Sequence, residues 1–162
     1  MRIVPLDDHH DRMAFECGVE PLDRYFRTQA GQDARKRVAS CFVLTDGGAS
    51  TFGFYTLAAT SIALAGLPPT LAKRLPRYPS MPATLLGRLA VDRRYRGRRL
   101  GGLLLFDAFS RALRSEIATY AFVVDAKDDA AASFYTANRF IPLTEGGRRL
   151  FLPMAEIAKL FA

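Results

Sequence analysis

The stretch Leu85–Leu105, LLGRLAVDRRYRGRRLGGLLL, restricts the fold more than any other part of the chain. Its first residues, Leu85 to Val91, form an apolar run of strand length. A basic, glycine-bearing bend follows from Asp92 to Arg99. From Leu100 to about Ile117, the residues Leu103, Phe106, Phe109 or Ser110, Leu113 and Ile117 recur every three to four positions. That spacing predicts a helix with those residues on its apolar stripe. Strand, glycine bend and helix in this order aim unpaired amides and the positive end of a helix dipole at one point, which suits an anion. The arginines of the bend add forked donors for phosphate oxygens. A P-loop is excluded, because no Lys-Ser or Lys-Thr pair follows the glycines. The G-x-G-x-x-G spacing of a dinucleotide site is also missing, since Gly97, Gly101 and Gly102 are spaced differently.

A chain of 162 residues with 49% hydrophobic content is expected to fold as a single α/β domain over residues 1–162, with a core of its own. A net charge of +7 points to an anionic partner: nucleic acid, membrane headgroups or a phosphorylated cofactor. The two cysteines, Cys17 and Cys41, have no C-x-x-C spacing and no partnering histidine pair, so no metal site is expected and two buried thiols are. The opening MRIVPLDDHHDR turns charged at once, and no run of 18 apolar residues occurs. The expected location is the cytoplasm, with no membrane span.

Taken in order, the chain alternates strands with helices. Arg2–Leu6 reads as a first strand and Asp7–Arg12 as a polar loop, with His9 and His10 expected to point apart into solvent. A helix is predicted from about Pro21 to Arg35, with proline in its first turn and Leu22, Tyr25 and Phe26 on its apolar side. Val38–Thr45 and Ser50–Ala59 pair as a hairpin about Asp46-Gly47-Gly48, and Thr60–Leu67 extends it or runs irregularly. Pro68–Pro82 is a proline-rich basic loop with a short helix over Thr70–Leu75. Beyond the central unit, Thr119–Asp125 is a strand and Asp128–Ala137 a helix with acidic residues at its start. Asn138 suits a left-handed cap. Phe140–Leu143 and Arg148–Pro153 are strands around a Glu145-Gly146-Gly147 turn, and Met154–Phe161 is a closing helix.

Arg96-Gly97-Arg98-Arg99-Leu100-Gly101 resembles the pyrophosphate-binding signature of GNAT acetyltransferases, [QR]-x-x-G-x-[GA], which cradles coenzyme A. Arg99 stands where that family usually has its middle glycine. The resemblance widens to the VVD strand, to SFYTANRF-IPL with Arg139 at another family glycine, and to the RLFLPM strand. With F-x-C-G-x-x-x-L-D-x-Y-x-x-x-x-A-x-Q at Phe15–Gln32 and PRYPSMPATLLGRLAVD, nearly the whole chain is similar to the GNAT toxins of bacterial toxin–antitoxin pairs. The resemblance implies a mixed, mostly antiparallel sheet flanked by helices, and acetylation of the α-amine of aminoacyl-tRNA with acetyl-CoA. It also implies arrested translation, a small DNA-binding antitoxin as partner, and a homodimer. Carried over residue by residue, the backbone of Leu89, Ala90 and Val91 would hold the pantetheine arm and the thioester carbonyl. Arg96, Gly97, Arg98, Arg99, Leu100, Gly101 and Gly102 would hold the pyrophosphate, and Tyr135 would protonate the leaving thiolate.

The residues support that chemistry independently. The strand Thr84–Val91 contains no carboxylate to act as base; Arg88 is its one ionisable residue and Asp92 comes after it. The amine must therefore arrive largely ready. A lysine amine is only about 0.04% neutral at pH 7, whereas an α-amine with a pKa near 7.7–8.0 is roughly 10–17% neutral. That ratio is comparable to what a general base contributes, and it favours an α-amine acceptor. Tyr135 carries a phenol that is protonated at neutral pH; it adjoins Phe134, and neighbouring helix residues project about 100° apart, so one can be core while the other faces a site. Basic groups at Arg35, Lys36 and Arg37, at Lys73, Arg74 and Arg77, and at Arg88, Arg93 and Arg94 would neutralise acceptor phosphates. Two other readings stand beside this one: a GNAT enzyme for a small amine or a protein, and a non-catalytic basic nucleic-acid-binding domain.

Overall fold

A computed structural model describes residues 1–143 and 147–162. Seven strands alternate with helices: β1 (Arg2–Pro5), α1 (Glu20–Thr28), α2 (Ala30–Arg35), β2 (Ser40–Thr45), β3 (Gly53–Ala63), α3 (Pro69–Ala72), β4 (Ser80–Val91), α4 (Leu100–Arg114), β5 (Ala121–Asp125), α5 (Asp129–Ala137), β6 (Ile141–Pro142), β7 (Arg149–Pro153) and α6 (Met154–Leu160). The strands hydrogen-bond in the order β1-β2-β3-β4-β5-β7-β6. β1–β2, β2–β3, β5–β7 and β6–β7 are antiparallel, whereas β4 and β5 are parallel. A parallel pair needs a crossover, and α4 supplies it. The mixed α/β sheet anticipated from the sequence is the one observed.

The described residues fall into two compact units, Met1–Ala58 with Gly87–Ser110, and Ala59–Leu86 with Arg111–Ala162. The first is built on aromatic packing: Phe26 stacks on Phe54 with ring centroids 4.4 Å apart, and Phe15 meets both edge-on at 5.0 and 5.4 Å. Cys17, Tyr25, Ala30, Cys41, Val43 and Ala90 complete that core. Both thiols are buried, as expected. Gly53 of β3 lies so close to α4 that a Cβ there would meet Leu104 Cδ1 at 2.9 Å and the Ala90 carbonyl oxygen at 3.0 Å. The second unit packs Ile62, Leu67, Met81 and Ala83 with Ala121, Val123 and Phe151.

Several elements depart from the sequence reading, each for a local reason. The helix predicted from Pro21 to Arg35 breaks at Gln29 (φ −122°, ψ −31°), whose side chain turns to donate to Asp33. β4 begins at Ser80, so Pro82 lies in a strand and not in a loop. The parallel ladder starts only at Ala83↔Ala121, so Pro82 has no amide to contribute and its carbonyl accepts from Tyr120 instead. The buried side of α4 is Leu100, Leu104, Leu105, Ala108 and Phe109. The expected stripe residues Leu103 and Phe106 are about half exposed, and Ile117 lies beyond the helix end. Two overlapping apolar stripes exist on this helix, and Leu104, which meets Gly53, belongs to the one that is buried.

Asn138 is not left-handed; Arg139 is, with φ 75°. Asn138 instead donates its side-chain amide to the Phe134 carbonyl. A left-handed conformation costs a residue with a Cβ about 1–2 kcal/mol, against about 0.5–1 kcal/mol of extra chain entropy for glycine. Arg139→Gly is therefore expected to stabilise the protein by about 0.5–1 kcal/mol, a rise in thermal midpoint of about 1–4 °C that a melting curve would register.

The histidines also differ from expectation. Asp7 accepts from the backbone and ring of His9, and its own amide donates to Nδ1 of His10 at 3.1 Å. This turn folds the rings together, with centroids 4.1 Å apart, and buries His10. Burial, with the charge of His9, holds His10 below the usual imidazole value. Asp7, His9 and His10 each offer a possible ligand atom within 4.8 Å of the others, a grouping their spacing did not suggest. The predicted turn at Glu145-Gly146-Gly147 lies, but for Gly147, outside the described residues. Among the described residues no helix is long and apolar enough to cross a membrane.

Candidate active site

The bend after β4 is organised by Asp92, a residue the sequence reading passed over. Its side chain is wholly buried. One carboxylate oxygen accepts from the Arg94 amide and Nε, both at 2.9 Å. The other accepts from Arg94 Nη2 at 3.0 Å and from the Glu16 amide at 3.1 Å. Burial by itself would raise this carboxyl; the Arg94 fork and the two amides outweigh it and hold the group below the ordinary carboxylate range. A single aspartate thus closes a 3-10 turn over Arg93–Tyr95 and fastens it to the chain at Glu16. Arg93 strengthens the same link, its amide donating to the Glu16 carbonyl and its guanidinium pairing with the Glu16 carboxylate at 3.1 Å. Arg96 donates to the Cys17 carbonyl. The Tyr95 ring lies 4.4 Å from that of Phe52. The Asp-Arg-Arg run after a strand is the signal that, read as a capped turn, would have found Asp92.

Beyond this braced section the backbone opens. Gly97 has φ 80°, and a Cβ built on it or on Gly102 meets nothing within 4 Å. Arg99 has φ 59°, so it takes up the left-handed conformation for which the related signature uses glycine. The first amides of α4, at Leu100, Gly101 and Gly102, precede the helix's own ladder, which begins with the Leu103 amide donating to the Arg99 carbonyl. Arg98 and Arg99 are exposed, and among the described residues neither forms an ion pair. Open backbone, forward-facing amides and two unpaired guanidiniums fit a pyrophosphate. In β4 itself, Leu89 and Val91 are half-buried and Ala90 buried. The register with β5 ends at Leu86↔Val124, short of these three residues.

Tyr135 lies on α5, which Asp128 caps by accepting from the Ala131 amide. The Tyr135 ring is buried, edge-on to Phe134 at 5.1 Å and to Phe140 at 5.4 Å. Phe134 is the more exposed of the adjacent pair. Burial pushes the Tyr135 phenol up to about 12, so it keeps its proton throughout the neutral range.

The basic residues singled out from the sequence fall into different situations. Arg35, Lys36 and Arg37 are exposed at the end of α2, Arg37 with φ 60°. Lys73, Arg74 and Arg77 are exposed and belong to the other unit. Arg93, Arg94 and Arg96 are committed to Glu16, Asp92 and Cys17. Arg88 lies over the Tyr25 ring, 3.5 Å from its centroid. Tyr25 in turn donates to Asp33 at 2.8 Å, and Gln29 donates to the same carboxylate at 2.8 Å. Asp33 is buried, and the bonds from Gln29 and Tyr25 hold its carboxyl below the usual range. Tyr25, Gln29 and Asp33 recur at every fourth position, a spacing that would have marked them as one face.

No protein-family model matches the chain. The probable toxin TacT of Sinorhizobium fredii is 32% identical over 169 residues, covering 98% of this chain and 93% of the relative. The tRNA-acetylating toxin of Mycobacterium tuberculosis is 37% identical over 132 residues, covering 80% of this chain and 78% of the relative. AtaT complexed with acetyl-methionyl-tRNAfMet superposes with a TM-score of 0.91 at 30% identity, over 99% of each chain. AtaTR bound with AcCoA gives 0.87 at 28%, over 99% of this chain and 98% of that one. With a relative above 30% identity along almost its entire length, and with the fold of these solved toxins, the chain belongs to the GNAT toxins of toxin–antitoxin systems.

Proposed function

We propose that the protein is an acetyl-CoA-dependent N-acetyltransferase that blocks the α-amine of aminoacyl-tRNA and so stops translation. Bound acetyl-CoA supplies an activated acetyl thioester. Gly97, Arg98, Arg99, Leu100, Gly101 and Gly102 hold its pyrophosphate, while Arg96 braces the bend from behind. The main chain of Leu89, Ala90 and Val91 takes the pantetheine arm and stabilises the thioester carbonyl. Tyr135 holds, at its Oη, the proton that a departing thiolate needs. Arg35, Lys36, Arg37, Lys73, Arg74 and Arg77 neutralise phosphates of the acceptor.

The observation that carries the choice of acceptor is the state of Asp92. β4 has no carboxylate, and the first one after it is buried with both oxygens occupied, so it cannot take a proton from an amine. An acceptor already partly neutral at pH 7 is what such a site can use, and an α-amine meets that requirement. The relatives support the same choice, one being named a tRNA-acetylating toxin and another solved with acetyl-methionyl-tRNAfMet. The reading extends to a cytoplasmic homodimer held in check by an antitoxin; AtaT has been solved with the C-terminus of the antitoxin AtaR, and the AtaT–AtaR complex with DNA.

Incubation with charged tRNA and labelled acetyl-CoA is expected to place the label on the α-amine of the aminoacyl group and none on uncharged tRNA. Label appearing only on protein lysines or free small amines would overturn the proposal.

A further inference from the structure

We infer that Arg88 is a pre-oriented phosphate fork for the charged tRNA, and that Tyr25 and Asp33 are the positioning residues that hold it; this rests on the function proposed above. The argument starts from what Arg88 lacks. Arg88 is a half-buried residue of β4, one position before Leu89. Among the described residues no carboxylate pairs with it and no acceptor takes a hydrogen bond from it. A guanidinium has five N–H donors in one plane. Stacking at 3.5 Å on the Tyr25 ring occupies a face of that plane and leaves its N–H edge available. Left without a ligand, those donors have only water to satisfy them.

The ring under Arg88 is itself fixed. Its hydroxyl donates to Asp33 Oδ2 at 2.8 Å, and Gln29 holds Oδ1 of the same carboxylate at 2.8 Å. Asp33 is engaged by these neutral donors and, among the described residues, makes no ion-pair contact with Arg88, whose charge still helps to hold the Asp33 carboxyl low. The chain Gln29–Asp33–Tyr25–Arg88 orders a long side chain before any ligand arrives, which removes much of the entropy cost of binding through it. A planar fork of this kind matches two oxygens of a phosphodiester. Its place beside the strand residues assigned to the thioester selects a phosphate close to the aminoacyl end. The phosphates of coenzyme A are the competing occupant, and kinetics separate the two.

The test measures KM for charged tRNA and for acetyl-CoA separately in wild type, Arg88→Lys, Arg88→Gln and Tyr25→Phe. Arg88→Lys keeps the charge but loses the fork and the planar stack. It is expected to raise KM for charged tRNA about tenfold, leave KM for acetyl-CoA within twofold and, the charge being kept, leave the salt slope unchanged; Arg88→Gln, which also removes the charge, is expected to lower the slope of log affinity for tRNA against log salt by about one. Tyr25→Phe keeps the ring but frees it from Asp33, and is expected to raise KM for charged tRNA about threefold with acetyl-CoA again unaffected. The unchanged acetyl-CoA constant serves as the control for folding, since a general loss of structure would move both. Equal rises in both constants, a rise for acetyl-CoA alone, or a salt slope unaltered in Arg88→Gln would overturn the assignment while leaving the acetyltransferase reading in place. A wild-type protein that does not acetylate charged tRNA would overturn both.

Discussion

Tyr135→Phe should bind acetyl-CoA as the wild type does and lose acetyl transfer. Removing a positioned proton donor costs about 10²–10⁴-fold in rate. The measurement is kcat on charged tRNA alongside the thermal shift produced by acetyl-CoA, because a ligand that binds only the folded state raises its stability. Structure and cofactor affinity should survive, since the ring keeps its edge-on contacts with Phe134 and Phe140 and only the oxygen is lost. The phenol is held protonated up to about 12 by burial, so across neutral pH the wild-type profile should follow the acceptor amine and not this hydroxyl. An acetylation rate within threefold of wild type would remove Tyr135 from the reaction.

Asp92→Asn is the second change with a large expected effect. The amide that replaces one carboxylate oxygen cannot accept, so either Arg94 or the Glu16 amide loses its partner. Leaving a buried donor without an acceptor costs about 1–3 kcal/mol. For a chain of this size each kcal/mol lowers the thermal midpoint by about 2–4 °C. The effect should also reach the cofactor, because the bend that carries Gly97–Gly102 is fastened through this carboxylate. A rise of about tenfold in KM for acetyl-CoA, equivalent to about 1.4 kcal/mol, is expected.

The pH dependence carries a sign. Asp92 is depressed in the folded state, so it contributes stability above its unfolded value near 3.9, and that contribution is lost as pH falls through the folded value. Asp92→Asn should therefore narrow the gap in stability between pH 7 and pH 3 relative to wild type. An unchanged acid limb would show that the Arg94 fork does not stabilise the fold.

Much of this could be read before any coordinates. Apolar run, arginine–glycine bend and helix mark the central unit because each has its own period or turn residue, and those are local properties. The α5 helix and its acidic start were legible for the same reason, with Asp128 emerging as the cap. What was hidden depends on partners distant in sequence. Arg93, Arg94, Arg96 and Arg88 look alike as cations, yet three are spent on Glu16, Asp92 and Cys17 and one lies on Tyr25. Charge counting cannot distinguish a tie from a ligand when the deciding contact, Arg96 with Cys17, spans 79 positions. The choice between two apolar stripes on α4 fails similarly, being settled by Gly53 in β3. His10 was misjudged because a turn at Asp7 overrides the general tendency of adjacent side chains to diverge.

Gly53 carries one more implication. The hydrogen in place of a side chain there lets Leu104 settle against β3, and Leu104 lies two residues past Gly102 on the same rigid rod. An added methyl would meet the tip of Leu104, which can turn aside, and the Ala90 carbonyl oxygen, which can give way only if the end of β4 moves. On the function proposed above, Gly53 would thus act on the coenzyme's seat through β4, and homologues that thicken this spot would need a trim at 104 together with a shift of that strand.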